Sequence, residues 1–154
     1  MQHRLCALVL LGLTALTALP RTAGADGSAP FKGKFDFAIL NVQPLPTGEL
    51  RIWVSLKGRA TILGNFDGEA VYDVNLTTGA FTGSAIKVAA NGDELHETLT
   101  GNITATGTAG DFVIVGGTGR FRLATGGGTY VTTWTNTAHT TAEATIAASM
   151  EIGH

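Results

Sequence analysis

Alternation with a period of two runs through the chain from residue 31 onward. Phe31, Gly33, Phe35, Phe37 and Ile39 fall on one face of an extended segment, opposite Lys32, Lys34 and Asp36. Leu50, Ile52, Val54 and Leu56 do the same in a second segment, and Ala142, Ala144, Ile146, Ala148, Met150 and Ile152 in the last. A strand buried on one face requires this spacing, whereas a helix would scatter the same residues around its circumference. Ten extended segments are predicted: 31–40, 49–57, 59–64, 68–76, 81–90, 94–105, 111–115, 119–124, 128–137 and 142–152. The last is rich in alanine, but its strict alternation and its Thr145 and Ile146 favour strand over helix. No amphipathic helix interrupts the series.

Glycine and asparagine punctuate these segments. Thr77-Thr78-Gly79, Asn91-Gly92-Asp93, Thr108-Ala109-Gly110 and Gly126-Gly127-Gly128 each supply glycine where a hairpin reverses with positive φ. Eight to ten antiparallel strands joined by tight turns make a sandwich or a closed barrel. Closure removes edge strands that would expose unpaired backbone. Glycines inside strands, at Gly33, Gly83 and Gly101, suit the coiling of a small barrel. The expected fold is therefore all-β, a closed antiparallel barrel of about eight strands.

The N-terminus reads as an export leader. Met1–Arg4 carries one fixed positive charge, and Leu5–Leu19 is an apolar run too short to cross a bilayer comfortably. Ala23-Gly24-Ala25 then offers small residues where a signal peptidase acts, so residues 1–25 are predicted to be removed, leaving a single domain over 26–154. Cys6, the only cysteine, leaves with the leader, so neither a disulfide nor a thiolate site is expected. Arg4 and Arg21 leave as well, so eight of the ten basic residues remain against twelve acidic ones, a net charge of −4. Scattered cations on an acidic chain disfavour nucleic acid, and no later apolar run is long enough for a membrane helix. The expected location is secreted or periplasmic.

Val113–Phe121, VIVGGTGRF, invites comparison with a dinucleotide-binding turn. That motif needs a helix directly after its glycines. Here the chain continues RFRLATGGGTYVTTWTNT, too rich in glycine and threonine to sustain one, and the glycine spacing is also wrong. A bend between two strands is expected instead.

The stretch VIVGGTGRFRLATGG resembles the C-terminal motif of plant dirigent proteins, in which a strand enters a GGTG turn and leaves as Phe-Arg-x-Ala before another glycine. KGRATILGNFDGEA, AANGDELHETLTGNI and GGTGRF together also resemble secreted bacterial proteins of the allene oxide cyclase barrel-like group. The likeness covers roughly Lys57–Tyr130. It implies an eight-stranded antiparallel barrel with an apolar central cavity, and homo-oligomers occur among such barrels. The matching residues, Gly116, Gly117, Thr118, Gly119, Phe121, Arg122, Ala124 and Gly126, look like fold-forming positions. The dirigent Asp-Asp-Pro-Leu-Thr stretch has no counterpart, and Thr125 stands where an arginine is expected. The resemblance therefore supports neither phenoxy-radical coupling nor allene oxide cyclisation.

Glu97 is the leading candidate for chemistry. In ELHETLTGNI it shares a face with Leu95, Leu99 and Ile103, so it is expected inside the barrel unless a bulge or a wet mouth intervenes. A carboxylate there could act as acid, base or ligand anchor. Tyr72, Tyr130 and Trp134 could line the same cavity, each ring supplying apolar area and each polar tip orienting a ligand. Trp53 is expected outside, with Arg51 and Lys57. Glu69, Asp73 and His96 are also expected to face outward. Arg120 and Arg122 share one face of the predicted segment 119–124, opposite Phe121 and Leu123, and salt bridges are expected for them. No histidine spacing indicates a metal site, no serine has a nucleophile motif, and no cofactor is implied, so the catalytic residues stay unknown. Two readings remain open. One is an exported, cofactor-free barrel that binds a small apolar ligand or serves as a structural or interaction module. The other is a cyclase, isomerase or stereo-guiding protein that acts on a small reactive substrate in its cavity.

Overall fold

The computed structural model describes residues 27–153. The predicted leader and its cleavage position after Ala25 lie outside the described residues. Eight strands follow one another: β1 (Ser28–Pro44), β2 (Leu50–Ala60), β3 (Gly64–Val74), β4 (Ala80–Ala89), β5 (Glu94–Ile103), β6 (Gly107–Gly117), β7 (Thr125–Trp134) and β8 (Thr141–Glu151). Each pairs antiparallel with the next, and β8 returns to β1, closing the barrel. The long first strand makes closure possible: Ser28–Ala38 pairs with β8 while Gly33–Pro44 pairs with β2.

The expected alternation sets the inside. Phe31 and Phe37 of β1, Val54 and Leu56 of β2, and Ala142, Ala144, Ile146 and Met150 of β8 are all buried. All but Ala144 meet Phe66 and Ala70 of β3, Phe81 and Ala85 of β4, Leu95 and Leu99 of β5, Phe112 and Ile114 of β6, and Tyr130 of β7 in one core. Side chains thus fill most of the interior, and in place of the apolar central cavity that the resemblance implies there are two small voids of about 20 and 40 Å³.

The strand boundaries correct several expectations. Thr108-Ala109-Gly110 and Gly126-Gly127-Gly128 are not turns but parts of β6 and β7. There a Cβ at Gly110 would strike Thr100 O, and one at Gly128 would strike Ala147 O. The missing side chains let neighbouring strands come close, so these glycines belong to the sheet. Segment 59–64 is not a separate strand, because β2 ends at Ala60 and the chain turns before Gly64 opens β3. Segment 119–124 is not a strand either: Gly119–Phe121 is a single 3₁₀ turn.

The GGTG stretch therefore bends the chain across the barrel end. Gly116 has φ +113 and lies at a bulge where β6 carries one residue more than β5. Thr118 then docks on the start of β5, its N–H donating to Glu94 O and its hydroxyl accepting from Glu94 N–H, each at 2.9 Å. Gly119 has φ +53, and a Cβ there would collide with the Asp93 carboxylate. The turn drops Phe121 and Ala124 into the barrel end beside Leu63, and all three are buried. At that end the barrel is plugged.

Candidate functional site

The interior holds an ion pair. Lys87 of β4 lies opposite Leu95 of β5, and Glu97 of β5 lies opposite Ala85, so the two are diagonal neighbours on the inward face. The small side chain of Ala85 leaves space for them to meet. Lys87 Nζ is 2.5 Å from Glu97 Oε2, and the residues are 2% and 1% exposed. Three rings box the ammonium: Phe35, Phe66 and Phe112 have centroids 5.5, 5.8 and 5.4 Å from Nζ. Glu97 Oε1 is buried with no hydrogen-bond partner among the described residues.

Glu97 thus occupies the inward position that alternation predicts. The bulge does fall beside it, but the extra residue is on β6, so β5 keeps its register with β4 and the carboxylate stays inside. Lys87 escaped the sequence reading. The signal was present: Phe81, Gly83, Ala85, Lys87 and Ala89 share one face of β4, and the alternation places the lysine inside with Ile86 and Val88 outside. A lysine between two apolar residues resembles a solvated break in a buried run, and only the neighbouring strand's glutamate makes its burial tolerable.

Tyr72 and Tyr130 reach the same region. Both line a small cavity of about 20 Å³ with Lys87, Glu97, Phe112 and Thr132. The Tyr130 hydroxyl donates to Thr100 O at 3.5 Å. Burial raises the Tyr130 phenol well above its usual pKa, with a smaller contribution from Tyr72 and Asp111. Burial raises Tyr72 as well, and the charge of Glu97 adds to the shift. Thr132, on the same inward face as Tyr130, satisfies its hydroxyl at 2.8 Å from both Thr108 N and Thr108 Oγ1. Its polarity is therefore compatible with the core.

Trp134 does not border that cavity. It sits at the unplugged end, where a second cavity of about 40 Å³ is walled by Phe37, Ile52, Tyr72, Phe81, Ile103 and Trp134. Phe37 and Tyr72 line both cavities and form the partition between them. The indole packs edge-on against Phe37 at 6.2 Å and stacks on His139 at 5.2 Å, and its Nε1 is buried without a partner among the described residues. Of the four candidates, Glu97 thus belongs to the ion pair, Tyr72 and Tyr130 line the cavity beside it, and Trp134 lines the second cavity.

The remaining candidates lie outside. Asp73 takes a two-pronged contact from Arg51, both bonds at 2.7 Å, and this contact holds its carboxyl below the usual range. Glu94 accepts from His96 Nε2 at 2.8 Å or pairs with it when the ring is protonated. Arg120 stands 3.7 Å from Asp93 and over the Phe121 ring, whereas Arg122 is exposed. The expectation that Arg120 and Arg122 share a strand face opposite Phe121 and Leu123 fails because the segment is a turn, in which Phe121 is buried and Leu123 is half exposed. Trp53 lies on the outer face as expected, where with Val71, Ile86 and Val88 it borders an open groove of about 550 Å³. No cluster of three or more His, Cys, Asp or Glu suited to a metal occurs among the described residues.

An all-β barrel closed by eight consecutive antiparallel strands is a dirigent-like fold. Among solved structures, that of the pterocarpan synthase dirigent protein GePTS1 superposes with a TM-score of 0.61, over 90% of this chain and 98% of that one. The two sequences are 13% identical, so the likeness is one of fold. No family model matches the chain, and no curated protein matches it.

Proposed function

We propose that the barrel takes up a small, largely apolar molecule through its Trp134 end and orients one polar group of that molecule against Lys87 and Glu97. The observation that carries this reading is the buried pair with its unpartnered Oε1. Two charges removed from water cost several kcal/mol each, and apolar residues of similar volume would serve stability as well or better. Such groups in an apolar interior concentrate where a protein binds or reacts.

The two interior cavities are far below the several hundred Å³ that enclose a drug-sized ligand, so the occupant is small, or Phe37, Tyr72 and Trp134 swing aside for it. Apolar residues around the mouth, among them Leu40, Val42, Leu76 and Ile103, favour such an occupant. The leader expected from sequence supports a site of action outside the cytoplasm. The GGTGRF resemblance supports descent from the same stock as secreted bacterial barrels of the allene oxide cyclase-like group.

A second reading, that the barrel guides a reactive substrate or cyclises it, draws on the dirigent neighbour. That protein is named a pterocarpan synthase, and its fold supports stereo-guiding chemistry in a barrel of this shape. Native mass spectrometry of the exported protein, with small molecules retained, tests the binding reading. A bound species displaced by Lys87→Met/Glu97→Leu is the expected result. A barrel that stays unliganded from every host and against an apolar compound panel would leave a purely structural role.

A further inference from the structure

We propose that Lys87 forms a covalent, reversible imine with a small apolar aldehyde or ketone, and that Glu97 is the counterion and proton carrier of this linkage. The inference rests on the reading that the interior takes up small molecules, and it names their reactive group.

The chemistry follows from what surrounds Nζ. Glu97 Oε2, at 2.5 Å, takes one proton from the ammonium and frees the nitrogen lone pair. The amine attacks the carbonyl carbon, the carbonyl π pair moves to oxygen, and a proton passes from nitrogen to that oxygen to give a carbinolamine. Glu97 then returns its proton to the hydroxyl, which departs as water while the nitrogen lone pair closes the C=N bond. The sum is ammonium plus carbonyl giving iminium plus water, with no change in charge. That balance suits this site, because the positive charge ends where it began, between Glu97 and the rings of Phe35, Phe66 and Phe112. Glu97 Oε1, which has no partner among the described residues, is free to accept from the carbinolamine hydroxyl or the water formed. The cavity of about 20 Å³ beside the pair has the volume of a single water site. The adjoining cavity, walled by Ile52, Phe81 and Ile103, offers an apolar seat for the alkyl part.

The chain provides its own controls, because its other lysines, Lys32, Lys34 and Lys57, all lie on the outer face of β1 and β2. The intact protein is treated at neutral pH with propanal and cyanoborohydride, which reduces an iminium to a stable secondary amine, and the digest is mapped by mass spectrometry. Lys87 is expected to gain one propyl group about tenfold faster than each surface lysine, as for an amine held beside a proton acceptor in an apolar pocket. Lys87→Met/Glu97→Leu, checked for native circular dichroism and melting, should lose the fast phase and keep the slow surface labelling. Labelling confined to the surface lysines and the N-terminal amine, in the wild type and in the more open Trp134→Ala variant, overturns the inference. Propanol, which has no carbonyl, separates the two ideas: if native mass spectrometry shows it retained while Lys87 stays unlabelled, the imine is wrong and the binding reading stands.

Discussion

At the residue scale the interior is decided by a few polar groups that alternation forces inward. Tyr72 and Tyr130 give the cleanest measurement, because they are the only tyrosines in the chain. Both phenols have pKa values raised above the ordinary 10.0, chiefly by burial. A folded-state pKa above the unfolded one means that the native state holds its protons more tightly. The stabilisation is complete below pH 10.0 and is lost as pH rises through the folded values. The expected outcome is that phenolate absorbance stays absent from the native protein at about pH 11 and rises only together with the loss of near-ultraviolet circular dichroism. In denaturant the same two residues should titrate near 10.0. Native phenolate signal growing in smoothly around that pH would show the rings to be open to solvent. The inward place of Glu97 was legible, because period two leaves a residue between Leu95 and Leu99 no other side. The meaning of Lys87 was not: its burial depends on a partner on the next strand, and the β4–β5 register is what makes them diagonal neighbours.

At the element scale, hydrophobic pattern carried the strands and misplaced some of the connections. Glycines within β6 and β7 read as hairpin turns because glycine marks both a reversal and a close approach between strands, and only the neighbouring backbone distinguishes the two. GRFRLA read as a strand because Phe121 and Leu123 alternate with two arginines, although a 3₁₀ turn buries Phe121 and exposes Leu123. The turn is short, but it supplies the plug. Phe121→Ala is expected to lower stability by about 3–5 kcal/mol in urea unfolding, the range for deleting a buried phenylalanine. The adjacent Leu123→Ala should change it by about 0.5 kcal/mol or less, as a surface substitution does. Equal costs at the two positions would restore the strand and refute the turn.

At the scale of the whole molecule, closure makes the two ends unequal, and the uptake proposed above depends on that inequality. One end collects the β2–β3, β4–β5 and β6–β7 connections and is sealed by Leu63, Phe121 and Ala124. The other collects the remaining turns and is filled by side chains, among them Ile52, Phe81, Ile103 and Trp134, the last braced by Phe37 and by His139, a non-glycine residue at φ +55. Backbone in that region disfavours ordinary side chains, so the loop that carries His139 is held by its contacts, among them the Asn136 side chain to Thr140 N and Oγ1. The plugged end is crossed by the Gly119–Phe121 turn, whereas the Trp134 end is filled by side chains, so the uptake proposed above is assigned to the Trp134 end. Trp53→Phe leaves Trp134 as the only tryptophan in the chain, so its emission reports on the mouth. In that background a small apolar compound is expected to change Trp134 emission saturably, and Trp134→Ala, followed by native mass spectrometry, should speed both uptake and release. Faster exchange from Phe121→Ala but not from Trp134→Ala would move the entrance to the plugged end.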